Sequence, residues 1–237
     1  MINPPRGDER GNRSRVLDPR TFPVERLADL VHALPPPGVP IDVVDVGGGS
    51  EAAAWLSAHG RPARLVPAGE PRPTRLWEPS PGLPREEEKG RVALDLGCGT
   101  GRDAVFLALN GWRVTAVDHL PDALDRARSL AGLHGVGLDL RLLNVSRDPL
   151  PTGYDLVTAF RLLPDLATMA SALKKGGTMV VETFTDRERA RTGKPRDPRL
   201  VLPADSPPSL PECLALVEYR VGEHGGRELA TLVATRL

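Results

Sequence analysis

The sequence predicts an α/β protein with a doubly wound, mostly parallel sheet of about seven strands, preceded by a small α/β unit. Three observations predict the sheet. A buried strand runs into a glycine-rich turn and a helix over residues 91–110, a second strand ends at Asp118, and strand-like and helix-like stretches then alternate. Such alternation is typical of a parallel sheet with helices on both faces.

The glycine-rich turn follows the first strand of this sheet, at residues 91–96. Glycines stand at every second position, Gly97, Gly99 and Gly101, and helix-forming residues continue to Asn110. Glycine permits a sharp turn and lets a ligand approach the backbone closely. A helix that begins at such a turn directs its N-terminus towards the ligand.

The residues around these glycines discriminate between nucleotide ligands. A dinucleotide fingerprint, G-x-G-x-x-G, requires glycine at position 102, where Arg102 stands. Asp95, two residues before the first glycine, would repel a pyrophosphate and attract a cationic amine. The turn therefore favours S-adenosylmethionine over NAD.

The second strand, 112–117, ends at another acid. Asp118 follows Gly101 by 17 positions, close to the ~20-residue offset at which an acid binds ribose hydroxyls in nucleoside-binding βαβ units. The neighbouring His119 fits either stacking on adenine or an ordinary place in an exposed loop.

The remaining elements complete the predicted sheet. Further strands are predicted near 138–143, 154–159, 177–183, 214–221 and 228–236, and helices near 101–110, 121–133 and 164–174. The last two strands flank a turn-rich connection typical of a hairpin. Ligands of such sheets bind at the carboxyl ends of the strands, where Asp95, Asp118, Asn144 and Phe160 are expected.

The run from Asp95 to Arg128 resembles the first two motifs of class I S-adenosylmethionine-dependent methyltransferases. Its G-x-G-R-[DN] and V-T-A-V-D patterns resemble the tellurite-resistance-type branch, and the likeness covers roughly residues 76–237. It implies a Rossmann-like fold with an antiparallel C-terminal strand, and methyl transfer to a small-molecule acceptor. The predicted cofactor-binding residues are Asp95, Gly97, Cys98, Gly99, Thr100, Gly101, Asp118, His119, Asn144, Val145, Phe160 and Arg161.

Asn144 and Val145 follow the third strand, where the family usually has an acid and then an apolar residue. The amide oxygen of Asn144 would accept a hydrogen bond from the adenine amino group. A turn residue that caps the strand end is the alternative. Val145 would touch the adenine ring or only pack.

The acceptor side of the predicted site departs from the resembled branch. Pro164 stands where that branch commonly has a histidine. Arg161 would orient an anionic acceptor, or pair with Asp165 or Glu182. No catalytic residue is predicted: Glu182, Tyr154 and Asp165 are candidates for a base, and the sequence assigns none of them.

The segment Asp186–Pro211 is rich in arginine and proline, which fits a basic lid over the acceptor as well as a solvated loop. Two alternatives to a methyltransferase stand beside this interpretation. The departure at Pro164 fits a cofactor-binding sensor without turnover, and an NAD-dependent oxidoreductase is disfavoured by Arg102 and Asp95.

Residues 1–75 are predicted as a separate α/β unit, joined by a proline-rich linker at about 67–90. Its elements resemble a shortened rhodanese-like domain: a helix over Val24–Leu34, a strand over Ile41–Val46, a helix over Glu51–His59 and a strand at Arg64–Val66. The unit contains no cysteine, so sulfur transfer through a thiolate is excluded. Gly47–Gly49 could bind an anion, but a structural or pairing role is favoured.

The composition sets further limits. Lys and Arg number 31, as do Asp and Glu, so no net field attracts nucleic acid or an anionic membrane. Residues Met1–Asp8 lack the apolar core of a signal peptide, and no run reaches the ~20 apolar residues of a membrane span. Two cysteines are too few for a disulfide framework or a zinc site, which favours a cytoplasmic protein without metal.

Overall fold

The computed structural model describes residues 15–71 and 74–237. The chain forms two compact units, Met1–Glu78 and Pro79–Leu237. Residues Met1–Asp8, for which the sequence predicts no signal peptide, lie outside the described residues. No helix in the described ranges is both long and apolar enough to cross a bilayer.

The first unit contains a parallel three-stranded sheet and one α-helix. Its strands β1 (Val16–Leu17), β2 (Ile41–Val44) and β3 (Ala63–Val66) pair in that order, and α1 (Gly49–Ala58) connects β2 to β3. The side chains of Ile41 and Val43 are fully buried. These strands and α1 agree with the predicted α/β unit.

The predicted helix over Val24–Leu34 is wrong. The segment forms two single 3₁₀ turns, Val24–Arg26 and Val31–Ala33. Prolines at 23 and 35–37 bracket the segment, and a proline lacks the backbone N–H and disfavours the helical conformation of the residue before it. Leu27 and Leu30, which lie between the two turns, are nevertheless buried.

The second unit alternates strands and helices. Its elements are β4 (Val92–Leu96), α2 (Arg102–Leu109), β5 (Arg113–Asp118), α3 (Pro121–Leu133), β6 (Asp139–Leu142), β7 (Tyr154–Phe160), α4 (Leu166–Ala172), β8 (Leu173–Thr185), α5 (Asp186–Thr192), β9 (Val201–Leu202), β10 (Leu214–His224) and β11 (Arg227–Arg236).

These strands form one sheet in the order β10-β11-β8-β7-β4-β5-β6, with the short β9 paired to β8. Pairing is parallel from β8 through β6, whereas β11 runs antiparallel to both β8 and β10. The doubly wound sheet with an antiparallel C-terminal hairpin is therefore confirmed. Strand order reverses at β4, whose neighbours are β5 and β7.

The central strand β4 is buried on both faces. Leu94 belongs to one apolar cluster, with Met169 of α4, and Ala93 belongs to the opposite one, with Leu107 of α2. Successive strand residues face opposite sides, so helices must cover both faces. This burial fixes the end of β4 and the turn that follows it.

Three segments of the second unit differ from the prediction. The helix predicted at 164–174 begins at Leu166, since Asp165 caps it by accepting a hydrogen bond from Thr168 N, and β8 already starts at Leu173. Part of the predicted linker packs into this unit, where Leu83 is buried among core residues. The segment after β8 opens with the unpredicted helix α5.

Candidate functional site

Two adjoining pockets open at the carboxyl ends of β4, β5 and β7. The larger, of about 480 Å³, is lined by Gly97, Asp118, His119, Leu143, Asn144, Val145, Ser146, Phe160, Arg161 and Leu162. The smaller, of about 220 Å³, is lined by Ser80, Asp95, Gly97, Cys98, Gly99, Thr100, Arg102, Asp103, Phe160 and Arg161. Together they gather every predicted cofactor-binding residue except Gly101.

The glycine turn between the pockets has the backbone that its sequence requires. Gly97, Gly99 and Gly101 have φ of 67°, 53° and 79°, in the left-handed region that other residues rarely adopt. Gly101 precedes α2, and a Cβ there would lie 2.6 Å from the Cβ of Ala127 in α3. Gly101 therefore allows the start of α2 to pack closely against α3, and it does not line either pocket.

Asp118 connects this turn to the end of β5. Its Oδ2 accepts a hydrogen bond from Gly99 N at 2.9 Å, and its Oδ1 accepts one from Leu120 N at 3.0 Å. Each oxygen keeps acceptor capacity towards the larger pocket. The side chain of His119 is 63% exposed, with its Nδ1 3.4 Å from Asp118 Oδ1.

Asp95 is the most unusual carboxyl group of the site. It is 2% exposed, its Oδ1 accepts a hydrogen bond from Thr158 Oγ1 at 2.9 Å, and its buried Oδ2 has no hydrogen-bond partner within the described chain. Burial, assisted by Asp103 and Asp118, raises the pKa of Asp95 to about 8 against the opposing Thr158 bond. A cationic ligand group would satisfy this oxygen.

Cys98 and Thr100 also line the smaller pocket. Burial, then the carboxylates of Asp95 and Asp118, raise the pKa of the Cys98 thiol. The thiol is therefore neutral and a poor nucleophile. Its place in the turn suits a wall of the pocket rather than covalent chemistry.

Asn144 and Val145 line the larger pocket, as predicted. Asn144 Oδ1 accepts a hydrogen bond from Ser146 N at 3.0 Å, and Asn144 N donates to Asp148 Oδ2 at 2.7 Å. The structure thus shows the turn that caps the strand end. A second lone pair on Oδ1 leaves the adenine contact open as a prediction.

Arg161 stands at the end of β7 with a φ of 59°, the only positive φ outside glycine in the described ranges. Its Nη1 donates to Glu182 Oε1 at 2.8 Å, and Glu182 is 1% exposed. Glu182 Oε2 accepts a further hydrogen bond from Thr231. Of the two predicted roles for Arg161, the structure shows the ion pair, with Glu182 as partner, so the guanidinium charge is already balanced.

The three candidate bases have other partners. Glu182 holds Arg161, Asp165 caps α4, and the hydroxyl of Tyr154 donates to Thr115 Oγ1 at 3.0 Å. None of them is among the residues that line the two pockets. The described residues therefore provide no general base from this set.

Three arginines of the arginine-rich segment after β8 form ion pairs. Arg187 lies 3.0 Å from Asp205, Arg199 pairs with Asp197 at 2.8 Å, and Arg191 pairs with the buried Glu188 at 2.7 Å. The arginine contacts lower the pKa of Glu188. These pairs favour the interpretation as a solvated surface segment over a basic lid.

Six residues that line the two pockets are not among the predicted site residues: Ser80, Arg102, Asp103, Leu143, Ser146 and Leu162. Ser80 and Asp103 are distinctive because they bond each other. Asp103 lies in the first turn of α2 and Ser80 precedes the whole sheet, yet both line the smaller pocket. Ser80 N donates to Asp103 Oδ1 at 2.9 Å, and Ser80 Oγ donates to Asp103 Oδ2 at 2.7 Å. Asp103 follows the glycine turn so closely that the motif itself could have indicated it. No pattern around Ser80 does so.

Comparison with known families identifies the central part of this unit. A family described as "Methyltransferase domain" matches residues 93–177. Residues 93–177 thus match a methyltransferase domain, and the fold is that of the class I type, in which S-adenosylmethionine is the methyl donor. The likeness to the tellurite-resistance branch and the rhodanese-like character of the first unit remain predictions.

Several curated relatives are named as O-methyltransferases. The chain is 42% identical over 107 residues to a ubiquinone biosynthesis O-methyltransferase of Marinobacter nauticus, covering 40% of this chain and 44% of that protein. It is 33% identical over 144 residues to the protein of the same name from Xylella fastidiosa, covering 55% and 54%. The chain therefore spans about half the length of these relatives.

Solved structures share the fold. A coclaurine N-methyltransferase bound to N-methylheliamine and S-adenosylhomocysteine superposes with a TM-score of 0.52 at 11% identity, over 63% of this chain and 68% of that one. A protein from work on thioacetal formation in echinomycin biosynthesis gives 0.50 at 20% identity, over 61% and 75%. At these identities the likeness concerns the fold alone.

Proposed function

We propose that this protein transfers the methyl group of S-adenosylmethionine to a small acceptor. One observation carries the proposal: the ends of β4 and β5 place the buried carboxyl group of Asp95 and the carboxylate of Asp118 on either side of one glycine turn. The first carboxyl group suits a cationic amino acid moiety and the second a ribose. S-adenosylmethionine contains both groups.

The larger pocket would hold the nucleoside half of this cofactor. Asp118 would accept hydrogen bonds from the ribose hydroxyls while Gly99 and Leu120 keep the carboxylate in place. The apolar side chains of Leu143, Val145 and Leu162 offer the flat surface that an adenine ring requires. Asn144 or His119 would complete the contacts to the ring.

The smaller pocket would hold the methionine half. Asp95 Oδ2 would accept a hydrogen bond from the α-ammonium group, and the exposed guanidinium of Arg102 would face the carboxylate. The cofactor supplies a methyl group on a sulfonium, whose sulfur leaves readily. The protein's part is then to align the acceptor with the methyl carbon and to exclude water.

The acceptor proposed is a small molecule, handled in the cytoplasm. Because the curated relatives are named O-methyltransferases, a phenolic or catecholic hydroxyl is the first acceptor class to test. A nucleophile that retains no proton needs no general base, so thiolates form the second class. Release of S-adenosylhomocysteine in such a screen supports turnover, and its absence with intact cofactor binding supports a sensor instead.

The first unit is proposed as a structural or pairing module that resembles a degenerate rhodanese-like domain. Its three parallel strands and one helix support that interpretation. The pocket beside Gly47 and Gly48 is also lined by Glu25 and Glu51. These carboxylates argue against an anion at the helix N-terminus.

The ribose contact gives a direct test of the proposal. We expect Asp118→Ala to weaken binding of S-adenosylhomocysteine at least about tenfold, because two hydroxyl contacts to a carboxylate are lost. Titration calorimetry measures this, with Asp125→Ala as the control, since Asp125 pairs only with Arg128 on an exposed helix face. Unchanged affinity in Asp118→Ala would refute the ribose assignment. NAD binding by the unmodified protein would overturn the choice of cofactor.

A further inference from the structure

The segment Pro79–Leu83 places Ser80 in the wall of the smaller pocket. It lies before the matched domain, which begins at residue 93. Leu83 is buried in the core cluster that includes Val180. A Cβ on Gly82 would lie 2.9 Å from Val180 Cγ1 and 3.0 Å from Thr231 Cγ2, so only glycine allows this approach without displacement of its neighbours. Arg220 also donates to the carbonyl oxygen of Pro81 at 3.1 Å.

Asp103 fixes Ser80 within this wall. Both carboxylate oxygens of Asp103 accept hydrogen bonds from Ser80, one from the backbone N–H and one from the hydroxyl. The hydroxyl proton of Ser80 is thereby committed to Asp103. What the Ser80 oxygen still offers to a ligand in the pocket is acceptor capacity alone.

Ser80 and Asp95 both line the smaller pocket. Asp95 Oδ2 is buried and without a partner among the described residues. Ser80 Oγ lines the same cavity with its lone pairs available. A primary ammonium group carries three N–H donors and can satisfy two such acceptors together.

We propose that Ser80 binds the α-ammonium group of the cofactor's methionine half, and that Asp103 is a positioning residue that keeps the Ser80 oxygen an acceptor. This inference rests on the proposed function, since it assigns a further contact to the same ligand. The inference predicts that Ser80 contacts the methionine half of the ligand and makes no contact with the nucleoside half. S-adenosylhomocysteine makes this contact, whereas adenosine, which fills only the larger pocket, does not.

The test is calorimetric titration of the full chain with S-adenosylhomocysteine and with adenosine. We expect Ser80→Ala to weaken S-adenosylhomocysteine about tenfold, through loss of one hydrogen bond to a charged group, and to leave adenosine within about twofold. The Ser80 backbone N–H still reaches Asp103 in this variant, so the wall stays attached. Ser171→Ala is the matched control, because the Ser171 hydroxyl donates to Thr168 O on α4, away from both pockets.

Asp103→Asn separates positioning from simple anchoring. An amide would accept the Ser80 N–H and donate to the Ser80 oxygen, so the wall would remain docked while the hydroxyl proton turns towards the ligand. We expect S-adenosylhomocysteine binding to fall about tenfold here as well, with adenosine again unchanged. Thermal unfolding of each variant confirms that the fold is retained.

Each remaining outcome is decisive. Equal losses for both ligands, or no loss for either, would overturn the role of Ser80. Retention of S-adenosylhomocysteine affinity in Asp103→Asn would overturn the positioning role of Asp103. If the unmodified protein bound neither ligand, the proposed function itself would fail, and this result is distinct from a failure confined to the variants.

Discussion

The fold strongly raises the pKa of Asp95 at the candidate site. Its pKa of about 8 reflects burial first and the neighbouring carboxyl groups of Asp103 and Asp118 second, while Thr158 opposes the shift. An acid protonated at neutral pH offers little to a cation. Binding of a cationic ligand must therefore displace that proton.

This displacement predicts a pH dependence of cofactor binding. As pH rises from 6 towards 8, Asp95 ionises more readily, so the affinity for S-adenosylmethionine should increase, by at most about tenfold per pH unit. Above the pKa of about 8 the affinity should level off. Calorimetry at several pH values measures the slope. Asp95→Asn should remove it, and a slope that persists in this variant would assign it to another group.

The same carboxyl group also affects the stability of the unbound fold. An unfolded aspartate releases its proton near pH 4, whereas Asp95 retains it up to about pH 8. Between these values the folded state binds the additional proton, so this group's contribution to the free energy of unfolding falls as pH rises. A cofactor that neutralises the ionised form offsets that loss.

At the scale of elements, the glycine turn joins β4 to α2 and also sets how closely α2 approaches α3. Gly101 combines a φ of 79° with a Cβ direction that points into Ala127. Gly99 has a φ of 53° but has open space where a Cβ would lie. A substitution at Gly99 would therefore introduce backbone strain alone, whereas one at Gly101 would add a steric clash with Ala127.

We expect Gly101→Ala to lower the free energy of unfolding by about 2–4 kcal/mol, and Gly99→Ala by only about 1–2 kcal/mol. The difference arises because the Ala127 backbone cannot move without shifting α3. Urea denaturation of the two variants provides the comparison. Equal losses would show that the contact with α3 contributes nothing.

Strands β4 and β5 and helix α3 could be predicted from the sequence with nearly correct bounds. Strands β4 and β5 are rich in apolar residues, and each has an acid at or next to its carboxyl end, Asp95 and Asp118, which indicates both the strand and its functional end. Local apolar spacing does not report the hydrogen-bond pattern, so it predicts an α-helix where the structure has two 3₁₀ turns after Pro23. Helix α5 carries a capping signal, Thr185 with Glu188 three residues on, that could have indicated it.

The residues of the candidate site that lie at strand ends could also be predicted from the sequence. Residues placed by strand ends, including Asp95, Asp118 and Phe160, reach the pockets as expected. Ser80 could not be predicted, because its position depends on a contact with Asp103, 23 residues away. Likewise, sequence alone could not decide which acid pairs with Arg161. That choice depends on the register of β7 beside β8.

At the scale of the whole molecule, the chain separates into two units, each with its own sheet. All residues that line the two pockets belong to the second unit, which includes the wall at Pro79–Leu83. Its apolar clusters are built from its own strands and helices. Nothing in the described site requires a side chain from the first unit.

We therefore expect residues 79–237 alone to fold and to bind S-adenosylhomocysteine within about twofold of the affinity of the full chain, since about 0.4 kcal/mol corresponds to that factor. Calorimetry on both forms tests this directly. A truncation that begins at residue 91 would remove Ser80 and serves as the contrasting form. If residues 79–237 folded but lost binding, the first unit would contribute to the site.

The parallel pairing of β4 with β7 has a consequence for the order of folding. Ala93 pairs with Leu156, across a stretch of chain that contains α2, β5, α3 and β6. Closing so long a loop costs entropy before the pairing returns any stabilisation. The glycine turn and Asp118 can thus assemble early as a local β-α-β unit, whereas Phe160 and Arg161 arrive only with β7. A nascent chain would hold half of a nucleoside site until then, so recognition of the complete ligand reports that the sheet has closed.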